Sequence, residues 1–251
     1  MSGALGGMPG GIGGGTGGGA GVKRFWQTAR VIESDGGYEV LLDARPIRTP
    51  GKAPLALPTR ALAEALAAEW EAQTERVDPA TMPLTRSANT AIDRVVPHRA
   101  AVVAEIAGYG ETDLLCYRAP HPEGLIAEQR ARWDPMLDWA AERHGARLSL
   151  AEGVMFAAQP PEALARLTAA VDALDAWVLT GLHPLVTISG SLVLGLACAE
   201  GRLDADETFA ISRVDEDWNI REWGEDEEAA AQAARRLTEL REATRWLSLL
   251  R

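Results

Sequence analysis

The stretch HPLVTISGSLVLGLACAEG, His183 to Gly201, is the strongest indication of how this chain folds. It is apolar on nearly all sides from Leu185 to Ala199, a run of 15 residues. A run of this length is too short to span a bilayer, which takes about 20 apolar residues, and too apolar for a surface helix. The pattern therefore predicts one central buried helix of a bundle, in which Gly190 and Gly195 allow close neighbours.

Amphipathic helices are predicted on both sides of this segment. Apolar residues recur every three or four positions in stripes that begin at Leu62, Leu84, Val102, Leu125, Leu164 and Ala230. The stripe that begins at Leu125 contains Asp134 and Pro135, which predict a kink or a restart of that helix. The last helix is predicted from about Glu225 to Leu249.

The part of the chain before these helices has a different sequence pattern. It reads KRFWQTARVIESDGGYEVLLDARPIRTPGKAPLALPT over residues 23–59, with β-rich runs separated by turn residues. Phe25 to Ile32 is predicted to form a strand and Tyr38 to Leu42 its partner, joined by a hairpin turn at Asp35–Gly37. Thr59 is a good N-cap for the helix that follows.

The predicted fold class is α+β, with three segments. Residues 1–21 are dominated by glycine, lack the basic and apolar regions of a secretory signal, and are predicted to be a flexible tail. Residues 22–95 are predicted to form a small antiparallel β-rich N-terminal domain with one or two helices. Residues 96–251 are predicted to form a larger all-helical C-terminal domain.

The charge and the cysteine content limit the partners and the compartment. The formal net charge is −11, which opposes binding to nucleic acid or to anionic membranes, and no membrane insertion is expected. Cys116 and Cys198 are the only cysteines and lie in apolar surroundings, which favours a reducing compartment.

The sequence gives little support for catalytic, metal or cofactor sites. Ser189 and Ser191 lie in an apolar segment without the G-x-S-x-G pattern of a nucleophile elbow. The four histidines are isolated from one another, and no paired spacing typical of zinc ligands occurs. No phosphate-binding loop is found either, so no catalytic, metal-binding or cofactor-binding residue is predicted.

The acidic stretch SRVDEDWNIREWGEDEEAA, Ser212 to Ala230, needs its own explanation. Between Asp215 and Glu228 it contains eight carboxylates, two tryptophans and one basic residue, Arg221. The four acidic residues that follow Gly224 are predicted to open the last helix, where carboxylates stabilise the positive end of the helix dipole.

The first half of that stretch has several interpretations. Ile211, Val214, Trp218 and Glu222 are predicted to share one helical face. A carboxylate on such a face is compatible with a protein interface, a buried ion pair or a solvated face. Glu216 and Glu222 are also compatible with the acid and base of a small-molecule hydrolase or transferase that uses the carboxylates of Asp215–Glu222.

Several separate motifs carry a family resemblance. The stretch SGSLVLGLACAEGRLDADETFAISRVDEDWNIREWGEDEEA, Ser189 to Ala229, resembles the signature of the assembly chaperones for the α subunit of the F-type ATP synthase catalytic head. DLLCYRA at Asp113–Ala119, QRARWDPMLDWA at Gln129–Ala140, KRFW at residues 23–26 and EWEAQ at Glu69–Gln73 fit the same family. The resemblance extends from about Lys23 to Leu249.

The resemblance implies a chaperone without enzymatic activity or cofactor. Such a protein binds the unassembled α subunit, prevents its aggregation and promotes its assembly with β subunits. Eukaryotic members, in the mitochondrial matrix, carry a targeting presequence, and the glycine tract found here in its place indicates a bacterial cytoplasmic protein. The free protein is expected to be a monomer, and a self-associating helical module without a client is a further alternative. The client-binding residues it suggests are Asp215, Glu216, Trp218, Glu222 and Trp223.

Two further groups of residues are given structural roles. Trp70, Trp133 and Trp139 are predicted to pack in the core. Asp113, Tyr117 and Arg118 are predicted to form a hydrogen-bonded joint between the two domains.

Overall fold

The computed structural model describes residues 22–153 and 155–251, and the predicted tail lies outside these residues. Within them the strands are β1 Ala29–Ser34, β2 Gly37–Leu42, β3 Arg45–Pro46, β4 Ala56–Leu57, β5 Tyr117–Arg118 and β6 Ala151–Glu152. The α-helices are α1 Arg60–Glu71, α2 Pro83–Thr90, α3 Arg99–Gly108, α4 Glu123–His144, α5 Pro161–Asp172, α6 Ala176–Ser189, α7 Leu192–Ala199, α8 Ala205–Ser212, α9 Val214–Trp223 and α10 Glu227–Ser248. A π-helical turn, Ala91–Val95, follows α2, and short 3-10 turns occupy Pro79–Thr81, Tyr109–Thr112 and Leu114–Cys116.

The N-terminal sheet is antiparallel, as predicted. β1 and β2 form a hairpin whose register runs from Ala29 opposite Leu42 to Ser34 opposite Gly37, and both β3 and β4 pair with β2. α1 packs on this sheet, and its N-cap is Thr59, whose Oγ1 accepts a hydrogen bond from the Leu62 amide at 3.2 Å. The α+β class is therefore confirmed.

The core of the sheet is shared with the end of the chain. Trp246 and Leu247 of α10 are buried in the same cluster as Leu57 and Leu62. Thr59 Oγ1 also donates to the carbonyl oxygen of Leu249 at 2.5 Å. The last helix thus contributes to the hydrophobic core of the β-rich part. The domain border near residue 95 stays a prediction.

The predicted central helix is two helices, so the prediction of a single helix is wrong. Gly190 ends α6 with φ of 69°, a left-handed conformation that glycine adopts without strain, and Ser191 caps α7. The two helices pack closely at Gly195, where an added Cβ would lie 2.3 Å from Val186 Cγ2. The segment is buried at the centre of the helical core, as the sequence predicts.

The rest of the C-terminal part consists of helices and their connecting loops, with one small sheet. β5 and β6 form a parallel pair of two residues each, which the sequence analysis did not predict. α4 continues through Pro135 as a single helix, so the predicted restart does not occur. Within the described ranges, every helix is too short or too polar to cross a bilayer.

Candidate functional site

The acidic stretch forms a short helix, α9, that is separate from α8. Arg213 interrupts the helix between them with φ of −107°. Ile211, Val214 and Trp218 still pack against one core, as predicted, whereas Glu222 is exposed and does not continue that face. Val214 is buried at the start of α9, and Trp218 is half-buried against the helical core. The helix becomes exposed toward its C-terminal end, where Gly224 terminates it with φ of 92°.

α9 lies against the first turns of α4 through Trp218 and Arg221. A Cβ added to Gly124 would lie 2.6 Å from Trp218 Cη2, so the indole packs directly on the glycine. Arg221 forms an ion pair with Glu128, and its guanidinium carbon lies 5.3 Å from the centre of the Trp218 ring. Trp218 is thus held between α4 and Arg221.

Asp215 also attaches α9 to α4. Its Oδ1 accepts a hydrogen bond from Nε2 of Gln129 at 2.7 Å, and Oε1 of Gln129 accepts one from the Ala119 amide at 2.9 Å. Gln129 is buried, so both ends of its amide are satisfied inside the protein. The sequence analysis missed the role of Gln129 because its partners are distant in the sequence.

Three of the five predicted residues face solvent. Trp223 has 86% of its surface exposed, the largest value among the exposed large apolar residues that the structure describes. Glu222 is exposed and forms no hydrogen bond or ion pair with any described residue. Glu216 is also exposed and lines a cleft of about 540 Å³ between α9 and α10, to which α6 and α8 also contribute residues.

The carboxylates of Glu216 and Glu222 do not line one common cleft. Glu216 and Glu222 are six positions apart on α9, and the cleft that Glu216 lines does not include Glu222. In the part of the chain that the structure describes, no three His, Cys, Asp or Glu side chains are placed to hold a metal ion.

The second half of the acidic stretch has the predicted structural role. Asp226 is the N-cap of α10, and its Oδ1 accepts a hydrogen bond from the Ala229 amide at 2.8 Å. Glu227 and Glu228 occupy the first turn of that helix, where negative charge is favourable.

Comparison with known proteins identifies relatives along nearly the whole chain. A family model described as ATP12 chaperone protein matches residues 23–141. The crystal structure of Atp12 from Paracoccus denitrificans is 51% identical, with a TM-score of 0.90, over 92% of this chain and 99% of that one. The Atu1473 protein of Agrobacterium tumefaciens, for which a chaperone role has been suggested, is 44% identical, with a TM-score of 0.86, over 91% of this chain and 86% of that one.

This chain belongs to the ATP12 chaperone family. The resemblance that the sequence motifs indicate is thereby confirmed.

In this ATP12-family chain, tryptophans also hold the core together. Trp133 is fully buried, and its indole nitrogen donates to the Ile211 carbonyl at 2.9 Å, as expected for a core residue. Trp70 is half-buried and makes an edge contact with Trp26, and Trp139 makes one with His144. Trp133 therefore also connects α4 to the end of α8, next to the start of α9.

The predicted interdomain joint of the ATP12-family chain lies inside its helical part instead. Asp113 is fully buried and accepts hydrogen bonds from the amides of Leu115 at 3.1 Å and Val193 at 3.0 Å. It therefore fixes the start of α7, and the prediction of a contact between domains is wrong. Removal from water raises the pKa of Asp113 to about 6, and the hydrogen bonds to the carboxylate oppose this shift only in part.

Proposed function

We propose that this protein binds the unassembled α subunit of the F-type ATP synthase catalytic head, prevents its aggregation and promotes its assembly with β subunits. Membership of the ATP12 chaperone family and the likeness to Paracoccus Atp12 support the proposal. An unpaired subunit of a hexamer exposes an apolar interface, and covering such a surface prevents aggregation. This activity requires binding without chemistry, and the protein acts as a bacterial cytoplasmic monomer.

One observation carries the choice of α9 as the client-binding element. Trp223 is 86% exposed and stands beside Glu222, whose carboxylate has no partner among the described residues. An indole gains much from leaving water, and tryptophan is enriched among the residues that dominate protein interfaces. A largely exposed indole next to an unpaired charge therefore suits an interface that is completed by another protein.

The five residues of the client-binding prediction divide into two roles. Trp223, Glu222 and Glu216 are exposed and available for direct contact, the carboxylates with arginines of the client. Asp215 and Trp218 attach α9 to α4 and so hold the other three in place. We propose that these two act by positioning.

The rival hypothesis, a hydrolase or transferase, has less support. General acid–base catalysis requires both groups to reach one substrate within hydrogen-bond distance. Glu216 lines the cleft between α9 and α10, whereas Glu222 projects from α9 outside it. The proposed function uses these carboxylates as separate contact residues.

Co-purification tests the proposal directly. The tagged chain is captured from cells of its own source, and the proteins that accompany it are identified and quantified. We expect the ATP synthase α subunit without the β subunit, because the chaperone holds the client before assembly. Recovery of the intact synthase would indicate a stable accessory subunit, and the absence of α subunit even when it is overproduced alone would refute the proposed function.

A further inference from the structure

The cleft between α9 and α10 has the apolar and charged lining of a second binding surface for another protein. Half-buried apolar side chains form its floor, from Leu114, Ile188 and Phe209. Glu216 of α9 stands on one wall, and Arg235 and Arg236 of α10 stand on the other. The volume of about 540 Å³ is large enough for several side chains of another protein.

Two adjacent arginines lie on the α10 wall of the cleft. Arg235 and Arg236 form no hydrogen bond or ion pair with any described residue, although Glu239 lies four and three positions further along the same helix. The third arginine that lines the cleft, Arg213, is engaged: it pairs with Asp217 at 3.1 Å and lies over the Phe209 ring. The cleft is also lined by the carboxylates of Glu216 and Glu239, so negative charge is favoured only directly beside Arg235 and Arg236.

The α10 wall of the cleft is only partly covered by the rest of the described protein. None of the residues from Glu227 to Glu239 is buried, and the apolar positions Ala230, Ala233 and Leu237 are only half-buried. Burial in α10 begins at Leu240, where the helix joins the core of the sheet. The first three turns of α10 therefore have an apolar stripe that the described part of the chain does not fully cover.

We propose that this cleft binds an extended segment of the client that carries an acidic side chain next to an apolar one. The carboxylate pairs with Arg235 and Arg236, and the apolar side chain packs on Phe209 and Ile188. This inference rests on the proposed function, since it adds a second contact to the surface that Glu222 and Trp223 form at the end of α9. The client would then contact α9 from two sides.

A charge-reversal variant tests the proposal. In R235E/R236E the client carboxylate meets two negative charges, so we expect the affinity for purified α subunit to fall by ~10-fold or more. The matched control is R30E/R147E, which removes two other exposed arginines without a partner among the described residues and changes the net charge equally. Both variants should retain the melting temperature of the wild type, because surface charges away from ion pairs contribute little to stability.

The outcomes separate the two proposals. If the wild type binds the α subunit and both double variants bind it equally well, the cleft proposal is overturned and the proposed function stands. If the wild type binds no α subunit, both are overturned. A specific loss in R235E/R236E supports the cleft.

Cross-linking then tests the identity of the occupant. A photoreactive residue replaces Gln232, which lines the cleft from α10, one turn before Arg235 and Arg236. We expect a cross-link to a segment of the α subunit with Asp or Glu within a few residues of a large apolar side chain. A cross-link to a segment without carboxylates, or to a second copy of this chain, would overturn the proposal.

Discussion

Gln129 on α4 and Asp215 on α9 are joined by a hydrogen bond of 2.7 Å between residues 86 positions apart. Because Gln129 is buried and also accepts from the Ala119 amide, this bond fixes where α9 leaves the protein core. The exposed end of α9, with Glu222 and Trp223, is therefore presented from a rigid base. A preorganised contact surface loses less conformational entropy on binding than a mobile one.

The substitution E222K is expected to abolish binding of the α subunit without altering thermal stability. Glu222 has no partner among the described residues, so its loss costs no internal contact, while the lysine repels the arginine proposed on the client. The measurement is the affinity for purified α subunit, together with the melting temperature. An equal loss of folding and binding would show that Glu222 is a structural residue.

The substitution D215A is expected to lower the stability of the fold, in contrast to E222K. It leaves the buried Nε2 of Gln129 without an acceptor, which costs about 1–3 kcal/mol of unfolding free energy. We expect a lower denaturant midpoint for D215A and an unchanged one for E222K. If D215A kept full stability and lost only binding, Asp215 would contact the client directly.

The substitution W223A is expected to reduce the affinity for α subunit by ~10- to 100-fold, as for an aromatic residue at the centre of an interface. The unfolding free energy should change by less than about 0.5 kcal/mol, because the side chain is 86% exposed. F156A is the control, since Phe156 is 66% exposed and lies outside α9. Equal effects of the two substitutions would mean that general surface hydrophobicity, and not Trp223, determines binding.

The sequence predicts those features that depend on residues a few positions apart. The cap at Thr59, the hairpin between β1 and β2 and the acidic first turn of α10 are examples, because each follows from local backbone chemistry. The sequence does not predict the end of α6 at Gly190, because a run that is apolar on all sides has the same pattern whether it forms one helix or two.

The site was predictable only in part for a related reason. Exposure of Glu222 and Trp223 depends on which face of α9 docks on α4, and that is set by Gly124 and Gln129. Nothing in the sequence near α9 identifies these two residues as its partners. The cleft likewise brings together residues of α6, α8, α9 and α10, which spacing within any one helix does not show.

The substitution G124A tests how closely α9 is docked. The new methyl group would lie 2.6 Å from Trp218 Cη2, and a rigid indole held by Arg221 cannot move away easily. We expect a loss of about 1–3 kcal/mol in unfolding free energy and faster hydrogen exchange in α9. The control is G108A, because the Cβ at Gly108, the last residue of α3, meets no atom within 4 Å. Equal exchange rates of α9 in the two variants would show that the contact between Gly124 and Trp218 does not hold the helix.

The buried carboxylate of Asp113 makes a prediction about pH. Its pKa is raised from 3.8 to about 6 because burial disfavours the charged form, so the folded protein binds this proton more tightly than the unfolded chain does. The contribution of Asp113 to stability therefore increases as the pH falls through 6 toward 4, and it is lost as the pH rises through 6. Between pH 7 and pH 5 this amounts to about 1 kcal/mol.

The variant D113N isolates this contribution because its amide does not titrate. His144 acts in the opposite direction over the same range, since burial lowers its pKa, and this effect is common to both proteins. The denaturant midpoints of the wild type and D113N are measured from pH 7 to pH 5. We expect the stability of the wild type relative to D113N to increase on acidification, since only the wild type gains a proton at residue 113 on folding. Parallel pH profiles would show that Asp113 keeps an ordinary pKa, and that its hydrogen bonds to Leu115 and Val193 offset the whole effect of burial.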